Sequence, residues 1–513
     1  VLPRHVSTHA AGIVLAPEPL DGLVPLFPGA GGAVTQFPME DLERLGLVKM
    51  DFLGLRNLSL LDRTVRSLSR AGVAEIDLRT LSLDDAETYR MLARGETDGV
   101  FQLESPGMRR LLVELRPSAF DDIVAAIALY RPGPMDQIPA YLRAKRRPEA
   151  VRYPHPALRP ILEPTYGVIV YQEQIMRIAE ALAGYTLGEA DLLRRAVAKK
   201  DRSALEGERA RFVERAVGRG VPKAEAEAVY DLIVRFADYG FNKSHAVAYA
   251  LIAYQTAYLK AHHPLYFYTE LLNSVIGDAD KTAAYLDAAR RAGIRLLGPD
   301  INASAALFRV EGPWIRFGLL PVKNVGRQAA EAIERARADG PFRSLIDFLV
   351  RVDARAVSRR VVEALIVAGA FDALAGGRAN RAKLLAGLDE AYRRADALRE
   401  TAGQGALFAD DGAPEEAFEA ARAVDPYSPE ELARLEREVL GVVLGEHPLH
   451  RFMPVLRHPS VTRLAALSTH RPDERVRVAA ELVAVRPRTT RRGEPMASLF
   501  LDDLTARLWA VVF

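Results

Sequence analysis

A carboxylate beside a cation, Asp51 beside Lys49, sits in the otherwise apolar run Leu47-Val48-Lys49-Met50-Asp51-Phe52-Leu53-Gly54-Leu55. Burying a charge among Val, Met, Phe and Leu is costly unless a metal ion or a neighbouring cation compensates it. For Asp51 that compensation is either a metal ion or the neighbouring Lys49. Cations gather elsewhere. The run Leu192-Leu193-Arg194-Arg195-Ala196-Val197-Ala198-Lys199-Lys200 sets Arg195 and Lys199 four apart on a helix, with Arg194 and Lys200 close by and no acid among them. Such charges repel one another unless a polyanion binds, and arginine forks match phosphate oxygens; the plain alternative is a solvated helix face. In Ala128-Leu129-Tyr130-Arg131-Pro132-Gly133-Pro134 two prolines fix a bend directly after Arg131, which presents its guanidinium.

Helix starts supply the second kind of chemistry, because their backbone N–H groups attract anions. Tyr239-Gly240-Phe241-Asn242-Lys243-Ser244-His245-Ala246 precedes the apolar helix Val247 to Leu259, and either an anion at that start or a cap by Asn242 or Ser244 fits. Ser105 caps a helix that has Pro106 at its first position and Arg109 and Arg110 one turn inside. Gly318-Leu319-Leu320-Pro321-Val322-Lys323-Asn324-Val325-Gly326 reads as the hairpin of a helix-hairpin-helix, offering N–H groups of Lys323 to Gly326 to a phosphate without reading sequence. Gln404-Gly405-Ala406-Leu407-Phe408 exposes Leu and Phe in an acidic segment, which suits a partner's pocket or collapse onto the chain's own surface. His5 and His9, and the adjacent His262 and His263, read as structural, and neither a phosphate-binding Walker loop nor a dinucleotide fingerprint is present.

The elements that must hold these groups follow from length and pattern. At 513 residues the chain exceeds one hydrophobic core, so two to four domains are expected. With 49% hydrophobic and 27% charged residues it is globular, and no run approaches the roughly 18 apolar residues of a membrane span. Absence of cysteine removes disulfides and thiolate metal sites and fits a reducing compartment. Net charge is only +2, but residues 131–215 hold 16 basic against 11 acidic residues, 400–440 hold 3 against 11, and 451–492 hold 10 against 3. A basic block of that kind can track phosphates in a nearly neutral chain. Short β-rich runs mark residues 1–62, a helical period with Ile175, Ile178, Ala179 and Leu182 marks 75–275, and short helices fill 318–375. An acidic Ala/Gly/Pro linker spans 401–430, a helix runs from Pro429 to Leu444, and alternation from Val476 onward predicts a β-meander. The start at Val1-Leu2-Pro3 and the stop at Val511-Val512-Phe513 read as an internal piece of a longer protein. The fold class expected is multidomain α+β.

Taken in order, Val48 to Leu55, Gly99 to Met108, Ala128 to Pro134, Tyr171-Gln172-Glu173-Gln174, Leu192 to Lys200 and Tyr239 to His245 resemble the bacterial DNA polymerase III alpha family, the C-family replicative polymerases. The resemblance implies the latter part of a mixed α/β palm over 1–62, large helical fingers over 63–275 and a helical clamp-binding domain with a helix-hairpin-helix over 276–400. It further implies a linker with the clamp peptide Gln404, Leu407 and Phe408 over 401–473, and the start of an OB-fold β-barrel over 474–513. In such a polymerase Asp51 matches the third of three acids that hold two Mg2+ ions, the other two lying in an Asp-x-Asp element upstream, and Lys49 matches a lysine near the triphosphate. Arg131, Arg194 and Arg195 match cations around the incoming nucleotide, and Asn242, Lys243, Ser244 and His245 match the segment closing that pocket. Implied partners are primer-template DNA, deoxynucleoside triphosphates, the sliding clamp and other replicase subunits in the bacterial cytoplasm, at the nucleoid, with no membrane. Two other readings stay open: an error-prone paralogue that copies damaged templates, and a non-catalytic module binding DNA and clamp.

Overall fold

The structure is a computed structural model, and it describes residues 8–9, 11–29, 31–52, 54–198, 202–237, 240–403, 424–445, 448–471, 473–490 and 493–513. Leu53, Lys199, Lys200, Tyr239, His5 and the Gln404, Leu407 and Phe408 peptide lie outside the described residues. The chain is mixed α+β with small sheets, and it divides into two compact units, Val1–Leu259 and Lys260–Phe513.

In the first unit β1 (Gly12–Leu15), β2 (Leu26–Gly29), β3 (Gly32–Thr35) and β4 (Val48–Asp51) form two antiparallel ribbons, β1 with β4 and β2 with β3. The register sets Gly12 opposite Asp51, Ile13 opposite Met50, Val14 opposite Lys49 and Leu15 opposite Val48. Strand alternation then sends Val14, Lys49 and Asp51 to one face and Ile13, Leu15, Val48 and Met50 to the other. Val14 packs against a small core of Val24, Leu42 and Leu47. The other face is open, with Ile13 51% and Met50 42% exposed, and Phe52 beyond it 61% exposed. The expected burial of Asp51 does not occur: it lies on the Val14 face but at the last position of β4, opposite Gly12, which has no side chain to cover it, and its side chain is 55% exposed.

Helices fill the rest of this unit. Ser105 accepts the Met108 N–H and Pro106 opens the helix Pro106–Leu115, as its sequence predicted. Farther along, Ile175, Ile178 and Leu182 of helix Gln172–Ala183, Leu193 of helix Leu187–Ala198, and Val229 and Ile233 of helix Lys223–Ala237 meet in one buried cluster. Their i, i+3, i+4 spacing puts them on single helix faces, and burial of each large side chain stabilises by about 1.5–3 kcal/mol. Tyr171 and Phe241 form a parallel β-bridge, which ties the start of helix Gln172–Ala183 to the start of helix Lys243–His262.

The second unit holds β5 (Leu296–Leu297), β6 (Arg309–Glu311) and β7 (Trp314–Arg316), in the order β5-β7-β6, among helices Ala279–Arg291, Arg327–Ala338, Leu345–Arg351 and Arg359–Ala368. Helix Pro429–Leu440 ends at Gly441 in the left-handed conformation, four residues earlier than the pattern suggested. Its Glu436 is 1% exposed and meets Arg381, 7% exposed, at 2.8 Å. β8 (Glu481–Thr489), β9 (Pro495–Asp502) and β10 (Arg507–Val512) make an antiparallel meander with a bulge between Leu482 and Ala484. β8 begins at Glu481 and not at Val476, since Asp502 is the last partner on β9 and the Arg477 carbonyl is taken by the Thr462 N–H.

Candidate functional site

On the β1–β4 ribbon the Lys49 Nζ donates to Asp51 Oδ1 at 2.7 Å, and this contact holds the Asp51 carboxyl below the usual aspartate range. His9 Nδ1 lies 3.8 Å from the same oxygen. That nitrogen accepts the N–H groups of Gly12 at 2.7 Å and Ala11 at 3.2 Å, so it acts as an acceptor and gives Asp51 no hydrogen bond. Gly12 faces the carboxylate across the ribbon. A Cβ there would stand 2.7 Å from Lys49 Cε and 3.0 Å from Asp51 Oδ1, so glycine is what leaves the carboxylate accessible. Among the described residues no group of three or more His, Cys, Asp or Glu could hold a metal ion. Asp51 offers one hard oxygen donor, which fits one ligand of a magnesium site and not a whole one.

Cations from several helices converge around the Tyr171–Phe241 bridge. The Arg131 guanidinium lies 4.1 Å over the Phe241 ring, while its Nε donates to the Ala128 carbonyl at 3.0 Å. Burial lowers the Arg131 pKa from the ordinary guanidinium range, and a group that starts so high stays charged. Phe241 meets the His245 ring edge-on at 5.4 Å, and His245 stacks on Tyr249 at 4.2 Å. On the other side Arg194 Nη1 donates to Gln172 Oε1 at 3.2 Å, and the Gln172 N–H donates to the Phe241 carbonyl at 3.0 Å. Arg131, Arg194 and Asn242 to His245 thus belong to one cluster. Arg195 stands at its rim with 63% of its side chain exposed.

Two sequence expectations about this cluster need correcting. Arg194 and Arg195 are not without an acid, because Asp191, one turn earlier, accepts from both at 2.8 Å. Those contacts, Arg194 first, hold its pKa below the usual range. The helix start at Lys243 is also not open. Asn242 Oδ1 accepts the His245 N–H at 2.8 Å, and both oxygens of Glu173 accept the Lys243 N–H at 2.9 and 3.0 Å. The capped reading, with Asn242 as the cap, holds there.

The hairpin at 318–326 shows a third difference. The Lys323 N–H donates to the Val439 carbonyl at 2.8 Å, and its ammonium lies 3.7 Å from Glu438. Val325 donates to Val322 within the turn, and Asn324 is left-handed with φ 71°. Helix Arg327–Ala338 follows Gly326 with no side-chain cap, so the N–H groups without a cap lie in its first turn and not at Lys323 or Val325. Gly318 is required by packing, since a Cβ would stand 2.5 Å from the Leu307 backbone. Gln172 and Glu173, which the sequence offered only within the Tyr171 to Gln174 segment and with no role of their own, are the side chains that meet Arg194 and the Lys243 N–H. On the meander, Trp509 stacks on Phe500 at 4.9 Å with Arg486 4.6 Å above it.

Comparison with known proteins follows the same order along the chain. Residues 1–54 match the bacterial DNA polymerase III alpha NTPase domain, 57–220 the bacterial DNA polymerase III alpha subunit finger domain, and 293–384 a helix-hairpin-helix motif. DNA polymerase III subunit alpha of Bacillus subtilis is 46% identical over all of this chain and 46% of its own length. The proteins of the same name from Halalkalibacterium halodurans and Thermus aquaticus are each 46% identical over the whole chain, covering 45% and 42% of their lengths. The chain thus spans a little under half the length of these curated relatives.

Proposed function

We infer that this chain, which belongs to the family of bacterial DNA polymerase III alpha subunits, serves template-directed DNA synthesis, transferring deoxynucleotides to a primer 3′-hydroxyl. The observation that carries the reading is the convergence of Arg131, Arg194 and His245 around Phe241. Such a cluster can take the charge of a triphosphate while template pairing selects the base. Asp51 would be one magnesium ligand, with other carboxylates completing the set. Bound magnesium would lower the pKa of the primer hydroxyl and neutralise the triphosphate. Lys49 keeps Asp51 ionised and adds a positive charge beside the reacting phosphates. Arg131, Arg194 and Arg195 would offset charge that develops on the departing pyrophosphate.

Other assignments follow from the same reading. Residues 1–62 would be the latter part of the palm, 63–275 the fingers, and 276–400 the clamp-binding domain whose hairpin at Lys323, Asn324, Val325 and Gly326 approaches the DNA backbone. Gln404, Leu407 and Phe408 would insert into the sliding clamp, and β8 to β10 would begin an OB-fold. Among the described residues no helix is long and apolar enough to cross a membrane.

Primer extension by the protein expressed from its complete gene, with Mg2+ and all four nucleotides, is the test. Asp51→Ala should lower the rate by about 10³-fold or more, as loss of a reacting-site electrostatic group does. Near-normal extension by that variant would sink the assignment.

A further inference from the structure

We propose that Gln172 and Glu173 are the positioning residues of the nucleotide pocket, one fixing Arg194 and the other fixing the helix that bears His245; this rests on the pocket as read above. The four side chains of Tyr171-Gln172-Glu173-Gln174 have separate tasks. Gln174, 7% exposed, holds the turn itself: its Oε1 accepts the N–H groups of Val170 and Tyr171, and its Nε2 donates to the Thr165 hydroxyl at 2.7 Å. The Tyr171 ring lies under the Lys243 ammonium at 5.4 Å. Since Gln174 already stabilises the turn, Gln172 and Glu173 are left to reach outward.

Gln172 accepts from Arg194 with a neutral amide, so it orients that guanidinium without cancelling its charge. Asp191, which accepts from the same arginine, both orients and neutralises. Glu173 reaches across 70 positions of sequence to close the Lys243 N–H, one of the donors that a helix start leaves without a partner. At Gly240 a Cβ would stand 3.2 Å from Gln172 Cγ, a tight contact that the Gln172 side chain would have to yield to. Two adjacent residues on the first turn of one helix therefore set the spacing between Arg194 and the 242–245 segment. Neither touches the reacting atoms, so their effect should appear in nucleotide binding and not in the chemical step.

The test uses the protein from its complete gene, with dATP incorporation on a primer-template and, separately, binding of a fluorescent dATP analogue. Gln172→Leu and Glu173→Ala should each raise KM for dATP, and weaken analogue binding, by about tenfold, the order expected for losing a hydrogen bond to a charged or helix-end donor. Their kcat should stay within about twofold, and Tm should fall by no more than the few degrees that one lost helix-end hydrogen bond costs, a pattern of lost ground-state positioning. Glu173→Gln, which keeps one acceptor oxygen, should recover most of the loss, whereas Gln174→Leu should lower Tm. Unchanged KM and binding in both variants, or a parallel fall of kcat and Tm, would overturn the proposal. Failure of the polymerase reading has a different signature, normal extension by Asp51→Ala, and the analogue-binding arm decides the present proposal even then.

Discussion

Replacing Glu436 by Leu should destabilise the second unit by about 4 kcal/mol, the middle of the range for removing one partner of a buried ion pair. Glu436 Oε1 accepts from Arg381 Nη1 at 2.8 Å and from Arg378 Nη2 at 3.4 Å, while Oε2 accepts the N–H groups of Leu444 and Gly445 at 2.9 and 3.1 Å. Leucine fills the volume but leaves Arg381 facing an apolar side chain and two backbone donors without an acceptor, each worth about 1–3 kcal/mol. The separate costs do not add in full, because Arg381 keeps Asp372 at 2.6 Å and the Val367 carbonyl at 2.9 Å. At about 2–4 °C per kcal/mol for a unit of this size, Tm should fall by about 8–16 °C. Scanning calorimetry reads the fall, and hydrogen exchange reads its place, with Leu444 and Gly445 losing protection first. Glu436→Gln, which keeps one acceptor, should lie between the two. A Tm drop below about 3 °C with protection at Leu444 and Gly445 intact would refute the reasoning, because 3 °C corresponds to about 1 kcal/mol here. The hairpin should feel the same change, since Val439 of this helix holds the Lys323 N–H.

Glu189 is held at about 2, from an ordinary 4.5, chiefly by the Thr186 N–H and the Arg215 guanidinium. A depressed carboxyl stabilises above its unfolded value and loses that contribution as pH falls through its folded value. Tm should therefore decline between pH of about 4.5 and about 2, and Glu189→Gln should flatten that limb; an unchanged slope would discard the argument. For the peptide at Gln404, Leu407 and Phe408, alanines at Leu407 and Phe408 should abolish binding to an immobilised sliding clamp, and unchanged affinity would leave local collapse as the better account.

Local signals were legible. Ser105-Pro106 marked a helix start, Ile175, Ile178 and Leu182 marked a buried face, and the β-rich runs Gly12 to Leu15 and Leu47 to Leu53 hold the strands Gly12–Leu15 and Val48–Asp51. Partners distant in sequence were not. Periodicity tells which face of a helix is buried, but not which carboxylate arrives to close an N–H or an arginine. Glu436 looks like one more acid on a charged helix, and only Arg381, 55 positions away, makes it internal. Glu173 closes the start of a helix that its own neighbourhood in sequence never touches. Asp191 shows the opposite lapse: the acid stood directly before the cationic run, at i, i+3 and i, i+4 to Arg194 and Arg195, and counting from Leu192 left it out.

That same Asp191 acts as an electrostatic threshold. Any anion approaching Arg194 and Arg195 meets guanidiniums already occupied by an internal carboxylate, so it must compete with a partner seated at 2.8 Å. A singly charged ion gains little by the exchange in a half-open, well-screened site. A ligand carrying several charges on one rigid framework gains at every phosphate oxygen at once. The arginines, ordered beforehand, lose little freedom when it arrives. If the cluster takes a triphosphate as proposed, the acid beside Arg194 and Arg195 would make the site discriminate by charge number, favouring the polyanion over the many smaller anions of the same solution.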